Sequence, residues 1–260
     1  MTDIAVPLTG LRSTAPAAVT ARSLIETGLA DAFAPLPSPI GEVLVAWNGR
    51  GVSALGLADD HAFRDWFGRD IGRPLYPADR LPDRLERAID RRLHGDRRAT
   101  VRVDLRRASP FEQAVLTKTA QIPYGEVRPY GWVAAEIGRP RAVRAVGTAL
   151  AHNPVPLIVP CHRVVRTDGT IGQYSLGGPA NKTAILSIEG LDLTGLERLA
   201  SSGVRYIGSD TTKIYCLPTC RHARRVTDRH RLEFHSQAEG RSRGYRGCKV
   251  CRPDSAMAAA

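Results

Sequence analysis

Four cysteines near the end of the chain constrain its folding more than any other feature. Cys216, Cys220, Cys248 and Cys251 stand as C-x3-C, 27 intervening residues and C-x2-C. Two close thiol pairs at such spacings mark a tetrahedral zinc site, so the chain between them must return to its own start. A closed four-thiolate Zn²⁺ site can organise a small unit without a large core of its own. The N-terminus lacks the charged-then-apolar layout of a secretory leader, so a reducing cytoplasm (bacterial cytosol and nucleoid) is expected. There, metal binding or thiol chemistry outranks disulfides.

The fifth cysteine is isolated, in "NPVPLIVPCHRVV", Asn153 to Val165. "PLIVP" reads as a short apolar strand with a proline at each end, which would hold Cys161 on a stiff, buried segment. A buried free thiol is ordinarily inert. Here His162 can accept a proton, and Glu189 can orient and charge-stabilise that imidazole. A thiol, a base and an orienting carboxylate make an activated-nucleophile set. Neighbours on a strand point to opposite faces, so Cys161 and His162 are expected to communicate through a bridging water.

The rest of the chain reads as α/β. "EVLVAW" and "GVSALGL" predict a hairpin around "NGR". Leu85, Ala88, Ile89 and Leu93 follow helical spacing, and "ATVRVDL" alternates like a strand. Ser109 and Pro110 form an N-cap and N1 pair for a helix ending at Ile122-Pro123. "YGWVAAEIG" and "RPRAVRAVGTALAHN" predict two short helices around a glycine break, the outline of a helix-turn-helix. Two packed core helices would look the same. Arg141 and Arg144 share one side of the second helix, whose many small residues suit close approach to a minor groove. The chain carries +11 net charge, with 12 Lys and Arg against 5 Asp and Glu in residues 201–260. That asymmetry favours a polyanionic partner. There is no apolar run of about 18 residues, so no membrane association is expected.

Residues about 35–190 resemble the O6-alkylguanine-DNA alkyltransferases, or methylated-DNA–protein-cysteine methyltransferases. The resemblance rests on "FEQAVL", "IPYGEV", "RAVRAVGTAL", "NPVPLIVPCHRVV", "GQYSLGG" and "EG", in family order. It implies an α/β (α+β) fold. A small ribonuclease-H-like N-terminal unit (35–106) would precede a helical, winged helix-turn-helix-like alkyltransferase domain (107–191). A flexible extension (1–34) is expected before them. The resemblance also implies irreversible, single-turnover transfer of an alkyl group from O6-alkylguanine, and from O4-alkylthymine, to Cys161. His162, Glu189, Asn153 and Tyr130 match the family's catalytic residues. Arg144 matches the arginine that replaces the flipped nucleotide in the stack, and Arg141 would add a DNA contact. Tyr174 and Ser175 match the loop that holds the base. O6 is out of reach inside a duplex, so the nucleotide must be flipped, at a cost of a few kcal/mol.

After a linker (192–202), residues 203–256 resemble the zinc domain of the bacterial adaptive-response protein Ada, through "TTKIYC", "PTC" and "CKVCRPD". This implies one Zn²⁺ on Cys216, Cys220, Cys248 and Cys251, with Cys216 as a second methyl acceptor from DNA methylphosphotriesters. Leu217 stands where that family carries arginine, and the domain follows the alkyltransferase instead of preceding it. The expected partner is double-stranded DNA containing O6-alkylguanine, bound by a monomer. The alternative is a damage-responsive DNA-binding regulator in which the zinc unit is a structural or sensing module.

Overall fold

A computed structural model describes residues 16–257. Helix α1 (Ala17–Thr27) stops at Gly28, whose φ of 75° a side chain would disfavour. Strands β1 (Asp31–Ser38), β2 (Gly41–Asn48) and β3 (Gly51–Leu57) form two successive antiparallel hairpins. After α2 (Asp60–Asp70), β4 (Leu75–Pro77) pairs with β1 in parallel, giving the order β3-β2-β1-β4. Helix α3 (Asp83–Leu93) follows.

The two-residue period of β2 divides its side chains between two cores. Leu44 and Ala46 join Phe33, Phe63 and Phe67 under α2. Val43, Val45 and Trp47 face the main core, with Ile89 of α3 and Leu116. The sheet is therefore covered on both faces.

The expected flexible extension over residues 1–34 is corrected in part. Residues 1–15 lie outside the described residues, but α1 and the first half of β1 are ordered, and Phe33 and Ala34 are buried. Pro35 and Pro37 lie in the second half of β1. They follow Phe33, where the pairing of β1 with β4 ends, so their missing N–H groups leave no gap in that ladder. The strand expected over "ATVRVDL" is also corrected. Only one bridge forms, Val52 with Val103. Asp104 instead turns into a buried cluster, where Asn48 Nδ2 lies 2.8 Å from Asp31 Oδ1 and 3.0 Å from Asp104 Oδ2.

Helix α4 (Pro110–Thr119) begins with the expected proline and a capping box between Ser109 and Glu112. Helices α5 (Tyr130–Glu136) and α6 (Val143–Ala151) flank a turn through Gly138, φ 71°. Val115, Leu116, Val133, Val146, Ala149 and Leu150 pack α4, α5 and α6 together. Strands β5 (Arg128–Pro129) and β6 (Val164–Val165) pair in parallel beside this helix-turn-helix. Helix α7 (Gly178–Ile188) runs directly into Glu189. Helix α8 (Leu193–Ser201), capped by the Asp192 side chain, fills the expected linker.

The C-terminal unit has a sheet in the order β10-β8-β7-β9, made of β7 (Tyr206–Ser209), β8 (Ile214–Cys216), β9 (Arg231–Phe234) and β10 (Arg246–Gly247), with α9 (Gln237–Ser242). Tyr206, Tyr215, Phe234 and Tyr245 stack edge to face along it. Its core is continuous with that of the preceding domain. Trp132 of α5 donates its indole N–H to Cys251 O at 2.9 Å. Among the described residues no helix is long and apolar enough to cross a membrane.

Candidate functional site

Cys161 does not lie on a strand. Pro154, Pro156 and Pro160 withhold the N–H groups a ladder would need. The segment winds through short turns, with Leu157 at φ 68° and Cys161–Arg163 in a single 3₁₀ turn. Side chains on such a turn diverge by about 120° per residue, so the strict opposite-face expectation for Cys161 and His162 is corrected.

Asn153 anchors the turn. Its Nδ2 donates to Val159 O at 2.9 Å and to Cys161 Sγ at 3.1 Å, and its Oδ1 accepts from Val155 N at 3.1 Å. Burial pushes the Cys161 thiol up, against the Asn153 hydrogen bond, the Lys182 charge and a hydrogen bond from Ser175. Next to it, His162 Nε2 lies 2.9 Å from Glu189 Oε1. His162 Nδ1 is buried without a hydrogen-bond partner among the described residues. Burial lowers the imidazole despite the pull of Glu189. The resting site therefore holds a neutral thiol and a neutral imidazole. One ring nitrogen is fixed by a carboxylate, and the other has spare capacity for a proton.

Burial works against the Glu189 carboxylate, yet hydrogen bonds and charge from His162 and Arg163 hold its pKa at about 2. Arg163 was not singled out in the sequence. It is buried, and it grips Glu189 through Nε at 2.9 Å and Nη2 at 2.7 Å. Its Nη1 donates to Ile122 O at 2.8 Å. Lys182 was likewise missed. It is fully buried in α7 and donates to Val164 O at 2.6 Å and Gln173 O at 3.3 Å. Burial lowers its pKa to about 8. In both cases a basic residue inside an apolar stretch was the available signal.

The other expected residues gather around this centre to different degrees. The Tyr174 ring meets the His162 ring edge-on at 6.0 Å, and its hydroxyl is buried without a partner among the described residues. Burial and nearby Cys161 both raise the Tyr130 phenol at the start of α5. Ser175 is exposed next to the thiol. Arg141 and Arg144 are exposed before and within the first turn of α6, where no carboxylate among the described residues engages them. They are not among the groups that touch Cys161.

The four C-terminal cysteines converge. Their sulfur atoms all lie within 4.8 Å of one another. Tetrahedral Zn–S bonds of about 2.3 Å would place the sulfurs slightly under 4 Å apart, so this donor set fits zinc. Backbone N–H groups support the thiolates, from Leu217 to Cys251 Sγ and from Val250 to Cys248 Sγ, both at 3.4 Å. Cys220 and Cys251 are fully buried. Cys216 and Cys248 line a cleft of about 580 Å³, together with Arg225, Arg246 and Lys249. Not all nearby arginines are available. Arg252 pairs with Glu136, and Arg243 pairs with Glu239 at 3.0 Å.

The comparisons agree with this layout. A family model described as "6-O-methylguanine DNA methyltransferase, DNA binding domain" matches residues 110–191. Another, "Metal binding domain of Ada", matches 198–254. A methylated-DNA–protein-cysteine methyltransferase of Methanosarcina barkeri is 35% identical over 151 residues, 55% of this chain and 87% of that protein. The chain belongs to the methylated-DNA–protein-cysteine methyltransferase family. The methyltransferase of Rattus norvegicus is 47% identical over 100 residues, 38% of this chain, and the chain spans only 46% of that relative's length. The crystal structure of Mycobacterium tuberculosis OGT in complex with DNA is similar at 32% identity. The match covers 61% of this chain and 93% of that one, with a TM-score of 0.51. In this chain the metal-binding match follows the methyltransferase match, with Thr219 donating to Val127 O at 3.2 Å across the join.

Proposed function

We propose that the protein repairs double-stranded DNA by moving the alkyl group of O6-alkylguanine, and of O4-alkylthymine, onto Cys161. The observation that carries this reading is the buried triad: Cys161 Sγ fixed by Asn153, and next to it His162 with one nitrogen on Glu189 and the other without a partner among the described residues. The Cys161 proton passes to His162 through a bridging water. Glu189, already ionised, stabilises the imidazolium that forms. The thiolate attacks the alkyl carbon, an S–C bond forms and the C–O6 bond breaks. The electron pair leaves with the guanine, which takes up a proton from Tyr130, kept protonated by burial. His162 can return the missing proton to that tyrosine through solvent. Arg144 fills the space vacated by the flipped nucleotide, Arg141 adds a backbone contact, and Tyr174 and Ser175 hold the base. A thioether is not reversed by reduction, so each monomer acts once, in the cytosol where the DNA is. Intact mass after incubation with O6-methylguanine duplex tests this. One methyl in place of one hydrogen, mapped to Cys161 and absent in Cys161→Ala, is expected; undiminished transfer in that variant would overturn the assignment.

A second reading concerns Cys216. The cleft that buried Cys216 lines carries Arg225, Arg246 and Lys249, which can draw a DNA backbone close. Zinc, when bound, keeps the sulfurs as thiolates. Cys216 would accept methyl from a neutral methylphosphotriester, while Cys220, Cys248 and Cys251 hold the metal. Cys161→Ala protein incubated with phosphotriester DNA should gain a methyl at Cys216. A zinc-loaded protein that gains none there has a structural site, which favours the regulator reading.

A further inference from the structure

The segment Gly125–Tyr130 lies between the two cysteine centres and is bound on both sides. On one side, the Gly125 N–H donates to Glu189 Oε2 at 3.0 Å, and Arg128–Pro129 pairs with Val164–Val165, just beyond Cys161–Arg163. On the other side, the zinc unit clasps the same segment. Thr219, which lies between the zinc-site residues Cys216 and Cys220, accepts the Val127 N–H at 2.9 Å and donates to Val127 O at 3.2 Å. The Arg221 N–H, directly after Cys220, donates to Glu126 Oε1 at 3.3 Å. Glu126 in turn pairs with buried Arg128. Gly125, Glu126, Val127, Arg128, Glu189 and Thr219 are all buried. The Thr219 hydroxyl thus takes the Val127 N–H and shares the Val127 carbonyl with Arg128 Nη1, which donates to it at 2.8 Å.

The geometry points to Thr219 as a positioning residue for the reaction at Cys161, so that the zinc unit is a working part of the alkyl-transfer site. The clasp sets the height of the Gly125 N–H that holds Glu189, and it sets the start of α5, where Tyr130 stands. Thr219 touches neither thiol nor base and acts only through this segment. Zinc, by drawing Cys216 and Cys220 together, keeps the turn that carries Thr219 in shape. This inference rests on the alkyl-transfer reading of Cys161 and adds a dependence that the reading does not require.

The test uses the full chain and two substitutions, Thr219→Val, which keeps the shape and loses the hydroxyl, and Thr219→Ser, which restores it. Three quantities are measured: bound zinc, amide hydrogen exchange over residues 122–131, and the single-turnover rate at Cys161 across pH with free O6-benzylguanine, which needs no DNA contact. Thr219→Val should keep one zinc, exchange faster at Val127 and Gly125, and react about tenfold more slowly with a displaced pH profile, because small misplacements of acid–base groups are costly. Thr219→Ser should recover both exchange and rate. If Thr219→Val sheds its zinc, Glu126→Gln loosens the second clasp from the catalytic side and must give the same pattern. Wild-type rate, pH profile and exchange in a zinc-loaded Thr219→Val or Glu126→Gln protein would overturn the inference while leaving the alkyl-transfer reading intact. Absence of any transfer by the wild-type protein would instead remove that reading, and the inference with it.

Discussion

Arg163 holds Glu189 by two prongs, Nε at 2.9 Å and Nη2 at 2.7 Å, while His162 takes the same carboxylate at 2.9 Å. The carboxylate thus faces one permanent cation and one imidazole. Burial outweighs the pull of Glu189 on the imidazole, so Glu189 orients His162 without drawing a proton onto it in the resting state. A lysine cannot reproduce the fork or reach Ile122 O at the same time. Arg163→Lys is therefore expected to slow transfer at Cys161 by about tenfold and to lower stability by about 2 kcal/mol. Single-turnover rates and denaturant melts check both numbers.

Acid should unfold the protein through the same carboxylate. The folded pKa of Glu189 is about 2, below its ordinary 4.5. Asp104, where hydrogen bonds from Arg106 and Asn48 overcome the cost of burial, is also held at about 2, below 3.8. Each contributes stability that is fully present above its ordinary value and is lost as pH falls towards 2. Melting temperature should drop steadily between pH 5 and pH 2, and Glu189→Gln should make that drop shallower. An equal slope in the variant would mean that Glu189 does not carry the effect.

The thiol has its own pH signature. Burial raises Cys161, so its alkylation should accelerate as pH rises above 7. Lys182 loses its charge near pH 8, and with it goes an attraction that favours the thiolate. The rate should therefore climb less steeply above about pH 8 in the wild type. Lys182→Met should be slower below about pH 8, converge with the wild type above it and lack the change of slope, as read by iodoacetamide uptake at Cys161.

The join between the two units can be weighed at Trp132. Its indole N–H is the hydrogen-bond donor to Cys251 O, and the ring is buried under Arg128. Trp132→Phe leaves a buried carbonyl unpaired and a small void, for an expected loss of about 1–3 kcal/mol. Thermal melts with and without a strong chelator should show that the variant narrows the gap between metal-loaded and metal-free protein.

Arg144 separates base flipping from chemistry. Arg144→Ala should slow repair in duplex DNA while leaving the reaction with free O6-benzylguanine nearly unchanged, since the free base needs no flipping. Equal slowing of both substrates would count against the stack-filling role. Duplex binding should weaken with salt in both proteins as phosphate contacts release counterions.

The local features of the chain were legible because they depend on near neighbours. Ser109 and Pro110 announce the start of α4, "EVLVAW" reads as the strand that β2 forms, and Gly138 marks the break between α5 and α6. The spacing of the four C-terminal cysteines was sufficient to place them on one centre. The tertiary structure decided what depends on distant partners. The stretch through Pro35 and Pro37 joins a sheet because the pairing of β1 with β4 ends at Phe33, before either missing N–H would be needed there. "PLIVP" reads as a strand by composition, but its prolines withhold the N–H groups a ladder would need, and the segment turns. Arg163 and Lys182 carry charge on chemically ordinary residues, and only the carboxylate and carbonyls that surround them give that charge a task. The clasp of Thr219 on Val127 spans 92 positions of sequence. No period or cap encodes such a contact, because it exists only once two separately folded surfaces have met.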